Sequence, residues 1–174
     1  MYCSGAEDGV CGGGDLTICD MVITQAILDA LTAQAKASPR LRCNLDLRNS
    51  PEDGSQRMLN AIEPGSPLPI HRHKYTSETV VCLRGRVVEE FFDEMERICT
   101  DSIMLSPGGP NVAVNVPTGQ WHRIQALESL VGILINHYQT GQWHRIQALE
   151  SGSVVLTCKD GAYEPVGPED ILRL

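Results

Sequence analysis

The sequence has few aromatic residues and an excess of acidic over basic residues. Its 174 residues include only two Phe, four Tyr and two Trp, so the core has to be built mainly from Val, Ile and Leu, which favours a β-sheet interior. Lys and Arg number 14 against 22 Asp and Glu, a formal net charge of −8. Because no basic stripe is present to neutralise a phosphate backbone, we expect no nucleic-acid partner.

Long hydrophobic runs are also absent. The longest strongly apolar run covers residues 130–135, whereas a bilayer span needs about 20 residues. The first 20 residues contain four acids and no Lys or Arg, unlike the basic start of a signal peptide. We therefore expect no membrane partner and, by default, a cytoplasmic location.

The chain divides into two parts of different composition. Residues 1–20 hold five Gly and three Cys without any periodicity, which predicts a flexible Gly/Cys-rich extension. Residues 21–174 have ordinary globular composition and a length that suits one domain.

Hydrophobic periodicity predicts one helix followed by many strands. Apolar side chains recur at helical spacing after Thr24, a candidate N-cap, and the stripe ends before Pro39. From Leu41 to Arg48 apolar and polar residues alternate, as in a strand. Further strands are predicted at 56–62, 78–83, 86–92, 98–105, 111–116, 121–127, 130–138, 142–149 and 153–158. Short strands separated by Gly, Pro and Asp turns favour an all-β sandwich or barrel.

One segment of twelve residues occurs twice. The sequence TGQWHRIQALES stands at 118–129 and again at 140–151, while the residues around the two copies differ. A single partial copy is not a repeating unit, so a solenoid is excluded.

A group of metal-ligating residue types lies in the segment 65–85. His71 and His73 are two residues apart, so on a strand both imidazoles would project from one face. Neutral imidazole is a good ligand for divalent transition metals. The polar residues 74–77 can turn the chain and bring the carboxylate of Glu78 across from the next strand. In the segment PTGQWH, His122 follows a Pro-Gly turn and offers a fourth ligand.

These spacings resemble the two cupin motifs. The first motif is matched in full by Gly65, His71, His73, Glu78 and Gly85, and the core of the second is matched by Pro117, Gly119 and His122. The sequence on either side of the motifs resembles the WbuC family of cupin-fold metalloproteins.

The resemblance implies a double-stranded β-helix (jelly-roll) barrel with one N-terminal helix. It also implies one divalent metal ion, Zn, Fe, Mn or Ni, held by three His and one Glu. An association with bacterial surface-polysaccharide (O-antigen) biosynthesis and a homodimer are further implications.

The duplication leaves the fourth ligand open. Relative to the family pattern, residues 130–151 are an addition. His122 is the ligand if the copy that keeps Pro117 is used, and His144 is the ligand if the copy leading directly into the closing strand is used. We favour His122.

Other polar residues near the expected barrel mouth are candidate substrate contacts, namely Arg57, Asn60 and Tyr75. The acidic run between Glu89 and Glu96 is interpreted as a solvated hairpin rim.

Three functions fit these residues. The first is an enzyme that acts on a sugar or sugar nucleotide by metal-assisted isomerisation or epimerisation. The second is an Fe(II)-dependent dioxygenase, because the same ligands serve either chemistry. The third is a non-catalytic saccharide-binding or regulatory module that the metal stabilises.

Overall fold

The computed structural model describes residues 22–95, 98–126 and 150–173. One helix, α1 (Gln25–Ala37), precedes the strands. In chain order these are β1 (Arg42–Asp46), β2 (Ser55–Ile62), β3 (Ile70–His71), β4 (Glu78–Arg84), β5 (Val87–Phe92), β6 (Cys99–Leu105), β7 (Ala113–Val116), β8 (Trp121–Ala126), β9 (Ser153–Asp160) and β10 (Ile171–Leu172).

The strands form two five-stranded sheets in which all named pairs are antiparallel. The first sheet has the order β1-β2-β9-β4-β7 and the second β10-β3-β8-β5-β6. β4 and β5 follow each other in the chain but belong to different sheets, so the chain crosses between the sheets at Gly85. The prediction of an all-β jelly-roll barrel with an N-terminal helix is confirmed.

Gly85 is required where the chain crosses. Its φ is +73°, and a Cβ at this position would lie 2.4 Å from Ser153 Oγ. Residues with a side chain rarely adopt this backbone conformation, and here there is no space for one either.

The alternating side chains of both sheets meet in an apolar interior. The buried cluster between the sheets contains Ile62, Val80, Cys82, Val87, Leu105, Ala126 and Val155. Because alternate residues of a strand share a face, the members of this cluster identify the inward-facing positions of β2, β4, β5 and β9. Glu78, Glu89 and Lys159 have the same parity as these positions.

Helix α1 covers the outer face of the first sheet. Thr24 caps it by accepting a hydrogen bond from the backbone N–H of Ile27 at 3.3 Å, and it ends before Pro39, as predicted. Leu28, Leu31 and Ala35 are buried against Leu59 and Ala61 of β2. No helix within the described residues is long and apolar enough to cross a membrane.

One short strand and one loop differ from the sequence-based expectations. β10 is paired with β3 and was not predicted, because two residues carry no readable alternation. His73 lies beyond β3 rather than on one strand with His71. The strands expected at 130–138 and 142–149 lie outside the described residues.

Candidate metal centre

Three strands and one loop bring four side chains together at one end of the barrel. His71 ends β3 and stands directly opposite His122 on β8. Glu78 is the first residue of β4 in the other sheet, and His73 lies in the loop between β3 and β4. The structure thus brings together the four residues singled out in the sequence.

Backbone and side-chain hydrogen bonds fix the loop that carries His73 and Glu78. The N–H of Gly119 donates to the carbonyl of His73 at 2.8 Å, which joins the turn before His122 to this loop. At the other end, the backbone N–H and the hydroxyl of Ser77 both donate to Asp160 Oδ1, at 2.7 and 2.8 Å. Residues 74–77 therefore turn the chain and deliver Glu78 to the imidazoles, as expected.

The donor atoms of the four residues converge closely. One ligand atom from each of His71, His73, Glu78 and His122 lies within 4.8 Å of the others. The His71 ring centroid is 4.5 Å from that of His122 and 4.9 Å from that of His73. His122 is 2% exposed and Glu78 is 7% exposed, so the cluster lies largely inside the barrel.

Backbone carbonyls orient two of the imidazoles. His71 Nδ1 lies 3.2 Å from the carbonyl oxygen of Pro69, and His122 Nδ1 lies 3.0 Å from that of Gln120. A carbonyl oxygen only accepts, so each Nδ1 carries the hydrogen, and in a neutral ring Nε2 presents its lone pair. This second hydrogen bond is typical of metal-ligating histidines.

The two carboxylate oxygens of Glu78 have different neighbours. Oε2 lies 3.2 Å from His122 Nε2 and 3.3 Å from His73 Nε2, whereas Oε1 lies 3.6 Å from Lys159 Nζ. Burial works to raise the pKa of Glu78, but the charge of Lys159, the hydrogen bond to His122 and the nearby ring of His73 hold it well below the usual range. Glu78 is therefore a carboxylate.

The three imidazoles differ in their affinity for a proton. Burial, together with the nearby His122 and His73, lowers the pKa of His71 to about 3. Burial also lowers the pKa of His73. Burial works against the charge on His122 as well, but the hydrogen bond to Glu78 and the charge of Glu78 raise its pKa. His71 and His73 are thus neutral at pH 7, whereas His122 holds a proton more readily than a free imidazole does.

This donor set fits a divalent transition metal. His73 Nε2 is buried and has no hydrogen-bond partner of acceptable geometry among the described residues. Lone pairs on imidazoles that face a carboxylate repel one another unless a cation lies between them. Three imidazole nitrogens and one carboxylate suit Zn, Fe, Mn or Ni and do not by themselves select one of them.

A cavity opens onto His73. It has a volume of about 170 Å³ and is lined by the His73 loop, Gln56, Lys159 and the C-terminal segment (residues 161–170). Gln56 anchors this segment by donating to the carbonyl of Ala162 at 3.0 Å. Arg72 donates to Asp170 at 2.9 Å, and Lys74 donates to Glu169 at 3.3 Å. The segment is therefore part of the site wall.

The three predicted substrate contacts have different positions. Tyr75 lines the cavity and is 73% exposed. Asn60 faces the barrel interior on β2 and donates to Thr157 Oγ1 at 3.1 Å, but it does not line this cavity. Arg57 faces the side of β2 that packs on α1, and it pairs with Asp53 at 2.8 Å. His144 lies outside the described residues.

Sequence reasoning missed two charged side chains of the interior. Lys159 pairs across strands with Glu78, and its position is set by a long-range register that periodicity alone does not give. Glu89 is fully buried, and neither carboxylate oxygen has a hydrogen-bond partner in the described structure. The interpretation of Glu89 as part of a solvated rim is therefore wrong, and it is also wrong for Glu90, which is buried and pairs with Arg123. The sequence did contain a signal for the burial of Glu89, because Glu89 lies two residues from the apolar Val87 and so shares its inward face on the strand.

Solved structures with the same fold are cupin-fold proteins. Oxalate oxidase in complex with glycolate is 11% identical with a TM-score of 0.50, over 76% of this chain and 57% of the oxidase chain. KdgF from Halomonas sp. is 15% identical with a TM-score of 0.46, over 72% and 84% of the two chains. CapF, a capsular polysaccharide assembling protein from Staphylococcus aureus, is 16% identical with a TM-score of 0.47, over 79% and 32%. At 11% identity the likeness to oxalate oxidase shows the fold alone.

Fold and site together define a cupin-fold protein with a candidate metal centre. A family model described as a domain of unknown function, DUF6016, matches residues 23–104. This range includes His71, His73 and Glu78 and ends before His122. No curated protein matches the sequence.

Proposed function

We propose that this protein is a metal-dependent cupin of WbuC type that acts on a sugar or sugar nucleotide in bacterial surface-polysaccharide (O-antigen) biosynthesis. One observation carries the metal-dependent part, namely the convergence of His71, His73, Glu78 and His122 within 4.8 Å, beside a cavity that His73 lines. The saccharide and the pathway rest on the resemblance of the sequence to the WbuC family.

The four residues would hold one divalent ion, which supplies Lewis-acid polarisation of a ligand carbonyl or water when bound. The protein contributes the fixed orientation of the rings, through the carbonyls of Pro69 and Gln120. It also contributes the ionised carboxylate of Glu78. A cavity of about 170 Å³ is small against the roughly 300–1,000 Å³ of typical ligand pockets. It suits one sugar ring, so a nucleotide group would extend outside it.

A second candidate function is a metal-stabilised binding module without turnover. It is favoured by the placement of the ligands in both sheets, with His71 and His122 in one and Glu78 in the other. A metal there would join the sheets and raise stability. Turnover of a sugar substrate by the metal-loaded protein distinguishes the two functions.

The test is the metal content of the purified protein after removal of free metal. We expect close to one equivalent of Zn, Fe, Mn or Ni in the wild type. The double variant His71→Ala/His73→Ala and the single variant His122→Ala lose the metal, because each removes lone pairs from the convergent set.

His144→Ala is the matched control, since His144 stands in an identical twelve-residue sequence. We expect it to retain the metal. Metal that persists in His122→Ala but disappears in His144→Ala would move the fourth ligand to the second copy. A folded wild type that cannot be loaded with any of the four metals would refute the proposed function.

A further inference from the structure

We propose that the cavity beside the metal centre binds the anionic group of an acidic small molecule through Lys159. This inference rests on the proposed function, because it needs the metal to engage Glu78. It narrows the ligand class from a saccharide in general to one that carries a carboxylate or a phosphate.

Lys159 is the cation of the cavity wall that faces a metal ligand, Glu78. Its side chain is 18% exposed, and it lines the same cavity as His73. Glu78 Oε1 lies 3.6 Å from the ammonium, which is longer than an ordinary hydrogen bond. The three N–H donors of Lys159 therefore have room for a better acceptor.

The other two cations of the cavity wall are already paired with the C-terminal segment. Arg72 lies 2.9 Å from Asp170, and Lys74 lies 3.3 Å from Glu169 and 3.4 Å from Asp170. The remaining carboxylate of the lining, Glu164, is exposed, so solvent screens it. Lys159 is thus the cation that a ligand meets next to the metal ligands.

The charges around the metal centre favour an anionic ligand once a metal binds. One divalent ion, one carboxylate (Glu78) and one ammonium (Lys159) leave a net charge of two positive units with neutral imidazoles. An ionised Glu89 would still leave one positive unit. A buried excess of positive charge costs free energy. An anionic ligand that contacts both the metal and Lys159 neutralises this charge, whereas a neutral sugar does not.

The experiment compares matched sugars in isothermal titration calorimetry with the Zn²⁺-loaded full chain. Glucuronate carries a carboxylate, glucuronamide is its neutral counterpart, and glucose 1-phosphate and glucose form a second pair. We expect at least one of the two anions to bind, and the neutral sugars to bind about tenfold more weakly or not at all.

Lys159→Met is the decisive variant because it keeps the aliphatic stem and removes the charge. We expect it to retain one equivalent of zinc and to lose about tenfold or more in affinity for the anion. Lys74→Met is the control, since Lys74 lines the same cavity but is paired with Glu169 and Asp170. It should change the affinity much less.

Three outcomes would overturn the inference. In the first, neither anion binds to the zinc-loaded wild type. In the second, Lys159→Met binds the anion as tightly as the wild type does. In the third, Lys74→Met loses as much affinity for the anion as Lys159→Met. A Lys159→Gln variant replaces Lys159→Met if the latter does not fold, as judged by its thermal unfolding. Zinc content is measured separately, so zinc binding without anion binding refutes this inference and leaves the proposed function standing. Failure to bind zinc refutes both.

Discussion

At the scale of single residues, the most unusual group is the carboxyl of Glu89. It is fully buried on β5, with no hydrogen-bond partner for either oxygen in the described structure. Burial raises its pKa to about 8; the charge of His122 on β8 opposes this shift, while Glu78 on β4 and the adjacent Glu90 add to it. Without a metal, this residue is therefore a neutral carboxylic acid at pH 7.

We expect Glu89→Gln to remove a pH dependence of stability in the metal-free protein. A carboxyl whose pKa is raised on folding stabilises the folded state less as the pH rises from its ordinary value of 4.5 to about 8. The loss is at most about 1.4 kcal/mol per pH unit. The variant should thus gain stability over the wild type between pH 5 and pH 8, as measured by urea unfolding.

Glu90→Gln is the control for this prediction. It removes a carboxylate from the same strand, but one that lies 2.8 Å from Arg123 and so already has a charged partner. If Glu89→Gln and the wild type lose the same stability between pH 5 and pH 8, the Glu89 carboxyl is not held neutral by burial.

At the scale of elements, the turn before β8 positions two ligands. Gly119 has a φ of +78°, and its N–H donates to the carbonyl of His73 at 2.8 Å. The N–H of Gln120 closes the turn by donating to the carbonyl of Pro117 at 3.2 Å. His122 follows directly on β8. One turn therefore sets the distance between the His73 loop and the His122 strand.

We expect Gly119→Ala to destabilise the protein by about 1 kcal/mol, because residues with a Cβ are strained at positive φ. The same strain should weaken metal binding, since it acts on the turn that holds both ligands. Chemical denaturation and metal titration measure the two effects.

Gly108→Ala is the control, because both glycines have free space around the position of an added Cβ. An added Cβ meets no atom within 4 Å at either glycine, but only Gly119 has a positive φ. Gly108→Ala should therefore be nearly neutral in both measurements. Equal effects of the two substitutions would show that the conformation of Gly119 is not what holds the turn.

These elements also show what the sequence could predict. The alternation in β2 and β4 and the spacing of the motif predicted the strands and the four convergent side chains, because both depend on local parity and on turn residues. Lys159 could not be found in this way, because its place opposite Glu78 results from pairing between residues 81 positions apart in the chain. The C-terminal segment was missed for the same reason: its anchors, such as the bond from Arg72 to Asp170, are long-range.

At the scale of the whole molecule, the candidate metal centre lies where the two sheets meet. His71 and His122 belong to the sheet that contains β3 and β8, and Glu78 belongs to the sheet that contains β4. The two sheets otherwise contact each other through the apolar cluster around Val80, Val87 and Val155. A bound ion would add a polar link between the sheets at one end of the barrel.

We therefore expect removal of the metal to lower the melting temperature of the wild type. A ligand that binds only the folded state at about 100 times its Kd stabilises by about 2.7 kcal/mol, which corresponds to roughly 5–10 °C for a protein of this size. Differential scanning calorimetry with and without a chelator measures the shift. The double variant His71→Ala/His73→Ala should melt at the same temperature in both conditions, because it has no metal to lose. A wild type that loses its metal to the chelator and melts unchanged would show that the ion does not join the sheets, and it would leave ligand binding and catalysis as the role of the four residues.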